Sequence, residues 1–462
     1  MSEVALTLGW VARAVDGTLR SGDLESPVGE IVTDSRTLRQ GDLFIALRGP
    51  RFDAHAFVDD VMSRGAAGAI VETGRASGPG LIEVADTLMA LQALAHAVRR
   101  SAGTQVIAIT GSAGKTTTKE AIAEMLATRR RVVKNKGNLN NHIGLPLSLM
   151  QLRTGPDVAV MELGMNHAGE ISTLVAIAEP DVRVWTNVGD AHLGFFASPD
   201  AIADAKAEIL ERSTARTVLV CNADDSRVMS RVRGFAGRTL TFGIVEGATV
   251  RAHEIEDRGI AGTRATVATP AGEAVVETPL LGRGNLSNVL AAMTVAIDNG
   301  VPLDEVTAVA ARLRPADRRG AVKQLRDGVT LIDDSYNSSP SALRRALEVV
   351  AKESGAARKV AVLGEMLELG DHARALHEVC GRAAAAAGVG RLFTVGGGPA
   401  RAMADAAIAA GMAAASVQYF EKSDEAAPVV VQAIRPGDLV LVKGSRGTRT
   451  DIVVDRIAAE LS

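Results

Sequence analysis

Val106-Ile-Ala-Ile-Thr-Gly-Ser-Ala-Gly-Lys-Thr-Thr-Thr-Lys-Glu120 is the stretch on which the reading of this chain turns. A short β-branched run enters a Gly-containing turn, and Lys115-Thr116 opens a helical pattern. That is the layout of a phosphate cradle. Gly111 and Gly114, flanking Ser112 and Ala113, let backbone N–H groups face an anion, and the helix N-terminus adds partial positive charge. Lys115 can reach β- and γ-phosphates, and the Thr116 hydroxyl can ligate Mg²⁺. The spacing departs from the usual G-x-x-x-x-G-K-[ST], because Ile109 stands where the first Gly belongs; the form here is T-G-x-x-G-K-T. A Gly-rich turn that binds nothing is the bland alternative. The required order of strand, turn, Lys-Thr and helix weighs against it.

Outward from the loop, short apolar runs alternate with Ala-rich helical segments. The strand candidates are Val106–Thr110, Val158–Met161, Val182–Asn187, Val218–Cys221, Val329–Ile332, Val360–Leu363, Leu392–Val395 and Leu439–Val442. Helical patterns fall at Lys119–Ala127, Ala201–Glu211, Asn288–Ala296, Ser341–Ala351 and His372–Ala387. Such alternation predicts an α/β protein with mostly parallel sheets. Between Thr239 and Pro279 the Thr/Val-rich segments with Gly and Pro turns predict an antiparallel excursion. Further strand signals at Asp42–Leu47 and Gly68–Val71 precede the loop. The expected organisation is three domains: a smaller N-terminal α/β domain (1–100), a central phosphate-loop parallel-sheet domain (101–314) and a C-terminal Rossmann-like α/β domain (315–462), the last boundary falling at Arg314-Pro315.

Composition narrows the class of protein. The chain has 462 residues, 47% of them hydrophobic and 23% charged, which is ordinary for globular domains. A net charge of −3 gives no electrostatic reason to expect nucleic acid or an anionic membrane surface. Arg129-Arg-Arg131 reads as a solvated helix end. Two cysteines, Cys221 and Cys380, cannot build a disulfide framework or a four-cysteine zinc site. Glu3, Arg13 and Asp16 interrupt the first apolar stretch, against a signal peptide. No apolar run approaches the ~18 residues of a membrane span, so a cytoplasmic protein is expected. No fixed-period repeat is visible.

Several polar positions stand at the ends of the strand candidates. Glu162 closes Val158–Met161, where a carboxylate in a phosphate-loop domain is placed to hold Mg²⁺. Asn187-Val-Gly-Asp-Ala-His192 presents His192 to the same side, although a lone His is more often structural than a ligand. Lys206 lies in a helical stretch and, on its own, reads as a surface lysine beside Asp204 or Glu208. Asp333-Asp334 before Ser335-Tyr-Asn337 can be simple helix capping, and so can Asn285-Leu-Ser-Asn288. Gly396-Gly-Gly-Pro399 follows a strand but has no Lys-Thr and reads as a turn.

Taken as an ordered set these positions resemble the Mur ligases, ATP-dependent amide-forming enzymes of cell-wall precursor synthesis. Thr110–Glu120 resembles the family's ATP loop, and Asn138-Leu-Asn-Asn-His-Ile-Gly-Leu-Pro146, Glu162, His192 and Lys206 follow in the family's order. Asp34-Ser-Arg36 with Gly41–Gly49, Asp333–Asn337, Val362–Gly370 and Val442–Gly447 resemble the member type that adds D-alanyl-D-alanine to UDP-N-acetylmuramoyl-tripeptide.

The resemblance implies roles. Gly111, Ser112, Ala113, Gly114, Lys115, Thr116 and Thr117 would hold ATP, with Asn285, Asn288, Arg319 (Arg318 being the alternative) and Asp334. Gly284 stands where the family commonly has His. Thr116, Glu162, His192 and Lys206 would serve two Mg²⁺ ions, Lys206 as a carbamate, since CO₂ on a neutral amine makes an anionic oxygen ligand. Lys115, Lys206 and His192 form the implied catalytic set. Ser35, Arg36 and Asn141 would face the UDP-muramoyl substrate, and Tyr336, Asn337, Lys443, Ser445 and Arg446 the dipeptide. The implied protein is a monomer that binds neither nucleic acid nor membrane. Rival readings are a family ligase adding a single amino acid, or a nucleotide-dependent switch.

Overall fold

The computed structural model describes residues 3–191 and 193–462, and three main β-sheets follow one another along the chain. The phosphate-loop strand Gln105–Thr110 lies inside a nine-stranded sheet, parallel to Val158–Glu162 on one side and Val182–Trp185 on the other. Val132–Lys134 extends one flank, and Val218–Asn222 with Arg238–Gly243 the other, all in parallel. Alternation of side chains along these strands feeds two cores. Val106, Ala108, Ala159, Met161 and Leu219 enter one, whereas Ile107, Ile109, Val158, Val160 and Val220 enter the other. Strands buried on both faces must be apolar throughout, which is why they stand out in the sequence.

The helix Lys115–Leu126 leaves the loop and buries Thr118, Ala121, Ile122, Met125 and Leu126, the spacing of a single apolar stripe. Its partner is the helix Gly282–Asp298. Each large apolar side chain fully buried in this contact stabilises the fold by about 1.5–3 kcal/mol.

The antiparallel excursion is present but starts later than expected. Arg238–Gly243, which includes Thr239, still pairs in parallel with Val218–Asn222; the helix Ser226–Arg231 between them supplies the crossover that a parallel connection needs. Antiparallel pairing begins between Val250–Asp257 and Thr263–Thr269 and continues to Gly272–Thr278.

The N-terminal sheet has five strands, with Leu43–Ile45 between Ile31–Val32 and Gly68–Glu72, and Leu81–Val84 followed by Thr18–Leu19 on the far side. The helix Thr87–Ala102 fastens it to the nine-stranded sheet. Buried Arg99 near its end donates to the carbonyls of Thr104, Ala178 and Glu179 and pairs with Asp181 at 2.8 Å. The third sheet has six strands in the order Ala321–Gln324, Thr330–Asp334, Asp438–Lys443, Arg358–Gly364, Arg391–Val395 and Val417–Phe420, parallel except for the first. It meets the middle of the molecule through the Gly194 N–H, which donates to Glu368 O at 2.7 Å, and through Lys352 and Asp257, 2.5 Å apart. Among the described residues no helix is long and apolar enough to cross a membrane.

Candidate active site

The C-terminal ends of three adjacent parallel strands converge on the phosphate loop. Gln105–Thr110 runs into Gly111–Gly114, Val158–Glu162 delivers Glu162, and Val182–Trp185 leads to Asn187. Glycine is required here. At Gly114, φ is +82° and a Cβ would lie 2.1 Å from Asn288 Oδ1; at Gly111, φ is +150° and a Cβ would lie 1.9 Å from Thr186 Oγ1. No side chain caps the helix that begins at Lys115, so its first N–H groups are left to an anion.

Asn187, which in the sequence marks only the end of an apolar run, clamps this loop. Its Oδ1 accepts from Ala113 N at 2.9 Å and its Nδ2 donates to Ala113 O at 3.0 Å, while its carbonyl accepts from Ser112 N at 3.0 Å. Ser112 Oγ accepts from Gly189 N at 2.8 Å. Lys115 is half-buried and donates from Nζ to Gly111 O at 2.8 Å. Burial lowers its pKa; the nearby Glu162 carboxylate opposes the shift and Arg319 adds to it.

Glu162, 4% exposed, is the most elaborately held residue of the site. Thr116 Oγ1 donates to its Oε2 at 2.8 Å and Asn140 Nδ2 to its Oε1 at 2.8 Å. Asn135 exchanges backbone bonds with it on both sides, its Nδ2 donating to Glu162 O at 3.2 Å and its Oδ1 accepting from Glu162 N at 3.0 Å. Asn140 belongs to the Asn138–Pro146 motif, and Asn135 lies just before it, so the density of asparagine over 135–141 is the sequence signal for both. Asn141 is exposed, and its Oδ1 accepts from Gly144 N at 2.8 Å at the start of the next helix.

Lys206 overturns the plain surface reading. It is 1% exposed, on the helix Pro199–Ala207, and its two supposed partners are engaged elsewhere. Asp204 pairs with Arg231 at 2.7 Å, and Glu208 accepts from Gly169 N and Ser172 N at 2.6 and 3.0 Å. Burial, reinforced by the positive charge of Lys115, drives the Lys206 pKa well below its ordinary value. Burial therefore favours the uncharged amine. His192 lies outside the described residues.

A cavity of about 450 Å³ opens beside the loop and joins the second and third sheets. Ser112, Ala113, Gly114, Lys115 and Thr117 line it with Asn285, Asn288, Arg319, Asp334, Asn337, Lys443, Ser445 and Arg446. Helix capping is excluded for both ambiguous pairs. Asn285 and Asn288 sit inside Gly282–Asp298, bonded to each other at 3.1 Å, and Asp333-Asp334 end the strand Thr330–Asp334. Arg319 reaches the cavity, its guanidinium 4.2 Å from the Tyr336 ring centre, whereas Arg318 turns away to Asp455 at 3.0 Å. Tyr336 itself and Ser35, Arg36 and Asn141 are not among the lining residues. Ser35 and Arg36 form a turn in the N-terminal sheet region, where the exposed Arg36 guanidinium holds the Asp34 carboxyl down to about 2. Gly396–Pro399 leads into the helix Gly398–Ala409, and Gly397 N donates to Glu365 Oε2 at 2.6 Å.

The residues present suit a magnesium nucleotide. Thr116 and Glu162 offer hard oxygen donors, and Mg²⁺ needs only one or two protein carboxylates when phosphates complete its shell. The cavity is of a size that takes a small-molecule ligand.

Comparison with known proteins agrees with this geometry. Residues 109–296 match the Mur ligase middle domain, and residues 318–446 match the Mur ligase, glutamate ligase domain. The chain is 35% identical to the UDP-N-acetylmuramoyl-tripeptide–D-alanyl-D-alanine ligase of Bacillus subtilis (strain 168), over 98% of each chain. The crystal structure of MurF from Acinetobacter baumannii superposes with a TM-score of 0.90 at 33% identity, covering 99% of this chain and 100% of that one. MurF ligase from Thermotoga maritima in complex with ADP gives a TM-score of 0.83 at 30% identity, covering 93% and 97%.

Proposed function

The chain belongs to the Mur ligase family, and from that premise we propose that it joins D-alanyl-D-alanine to the terminal carboxylate of UDP-N-acetylmuramoyl-tripeptide with ATP as the energy source. It is an ATP-dependent, ADP-forming ligase of peptidoglycan synthesis. The observation that carries the reading is the nucleotide cavity itself, with the phosphate loop on one wall and Arg319, Asp334 and Arg446 of the third sheet on the other.

In the first step the tripeptide carboxylate attacks the γ-phosphorus of ATP, and the bond to the bridging oxygen breaks to release ADP. The amine of D-alanyl-D-alanine then attacks the acyl phosphate carbon, phosphate leaves with the bonding pair, and the amine loses a proton. No protein nucleophile is needed. Lys115 neutralises charge on the β- and γ-phosphates, and the loop N–H groups hold them in line. Mg²⁺, on Thr116 and Glu162, would supply further charge neutralisation. Water must be kept from the acyl phosphate, and the contacts of Gly194 and Asp257 with the third sheet are suited to closing the cavity.

The burial of Lys206, which favours its uncharged amine, supports carbamylation. The carbamate would offer an oxygen ligand to a second Mg²⁺, and His192 is proposed for the nucleotide Mg²⁺. Residues 1–100 take the UDP-sugar through Ser35 and Arg36, with Asn141 on the central side; residues 101–314 take ATP, and residues 315–462 the dipeptide through Tyr336, Asn337, Ser445 and Arg446. A cytoplasmic monomer meets these needs.

Phosphate release tests the reading. It should require UDP-muramoyl-tripeptide and D-alanyl-D-alanine together. Equal release with either one omitted would overturn it in favour of a nucleotide-dependent switch.

A further inference from the structure

Lys443 invites assignment to the dipeptide by its charge and place, but its surroundings say otherwise. It ends the strand Asp438–Lys443, and the neighbouring parallel strand Thr330–Asp334 is in register so that Asp334 lies beside it. The side chain is buried, with 3% of the residue exposed. Its Nζ is 2.6 Å from Asp334 Oδ2 and donates to Asn337 O at 3.0 Å. An ammonium has three donors, and two of these are already directed at groups of its own chain. One donor remains, and with 3% of the residue exposed there is little surface through which a dipeptide carboxylate could reach it.

We propose that Lys443 is a positioning residue of the nucleotide site, holding Asp334 and the 335–338 turn in the cavity wall, and makes no contact with the incoming dipeptide. The inference rests on the ATP reading above. Asp334 offers carboxylate oxygens that can accept from a ribose hydroxyl, and it lines the cavity assigned above to a polyphosphate. Lys443 cancels that charge locally and fixes the carboxylate's direction. Without it, a partly buried carboxylate is left unpaired next to phosphates, a costly arrangement. The exposed Arg446 guanidinium, on the same cavity wall, remains for the dipeptide.

The test is binding of ADP to the full-length protein by calorimetry, alongside KM for ATP and for D-alanyl-D-alanine. K443M should weaken ADP binding and raise KM for ATP by roughly tenfold, with KM for the dipeptide almost unmoved. K443R, which keeps the charge, should recover most of the loss. D334N should weaken ADP as well, and the double variant should lose less than the product of the two single losses, because the two side chains act as one unit. A rise confined to the dipeptide KM would overturn the proposal, as would independent effects in the double variant. Should K443M fail to fold, D334N decides alone: unchanged ADP affinity refutes the proposal. Failure of the unaltered protein to bind ADP would instead bring down the ATP reading on which it stands.

Discussion

Thr116 Oγ1 donates to Glu162 Oε2 across 2.8 Å, so the first turn of the loop helix and the end of the adjacent strand share one hydrogen bond. The two oxygens proposed above as Mg²⁺ ligands are thereby already held side by side. Glu162→Gln keeps the size of the side chain but removes its charge. The expected result is a loss of about a hundredfold or more in ligase rate, with higher Mg²⁺ needed for half-maximal rate, while Tm changes little. Rate measurements across a Mg²⁺ series check it; an unshifted Mg²⁺ requirement would contradict the role given to Glu162.

The sheet strands were legible because parallel strands buried on both faces must be apolar, as the runs Val158–Met161 and Val360–Leu363 within them are. The edge strands Val132–Lys134 and Val417–Phe420 were missed for the complementary reason: they are only half-buried and carry polar residues. The loop could be read because its spacing is local. Asn187 could not, since its role depends on contacts with the turn after a neighbouring strand. The asparagines over 135–141 mark a polar segment without saying that Asn135 holds Glu162. Lys206 shows the limit clearly. A helix with Asp204 and Glu208 beside a lysine looks solvated, and only the packing of that helix reveals a buried amine.

Gly114 has no room for a side chain. A Cβ there would lie 2.1 Å from Asn288 Oδ1, and φ of +82° already disfavours any other residue. Gly114→Ala should destabilise the fold by about 1–3 kcal/mol and weaken ADP binding by more than about tenfold. Adding Asn288→Ala removes the clash and should return part of the stability without returning the affinity, since Asn288 itself lines the cavity. Chemical denaturation and calorimetry separate the two effects. Parental ADP affinity in the single variant would be inconsistent with a cradle at this position.

Arg99 joins three carbonyls and Asp181, and Asp181 Oδ2 in turn accepts from Val106 N at 2.8 Å, where the phosphate-loop strand begins. Arg99→Met retains the apolar stem but leaves buried acceptors without donors. A loss of about 3 kcal/mol is expected in the urea-unfolding free energy. A change below about 0.5 kcal/mol would place Arg99 among ordinary surface positions and refute the anchoring role.

Lys206 gives a prediction with a definite sign. Its folded pKa is depressed far below 10.5, mainly by burial, whereas in the unfolded chain the amine is solvated. Between the folded and unfolded values the unfolded state binds more protons, so the contribution of Lys206 to the stability of the CO₂-stripped protein rises with pH through that window and levels off above 10.5. The buried thiols Cys221 and Cys380, pushed up to about 12, act in the opposite sense above pH 9. Lys206→Met should show a smaller rise over the same range, with the depressed Lys115 still contributing to it. Bicarbonate should stabilise the parent and leave the variant unmoved, because a carbamate forms only on the folded, neutral amine. Lys206→Ala should lose ligase activity and regain part of it with a small carboxylate such as acetate. Thermal unfolding against pH, with and without bicarbonate, reads the first two outcomes, and the ligase assay reads the third. Full activity of Lys206→Ala without any carboxylate would eliminate the carbamate, leaving the buried amine as a structural feature only.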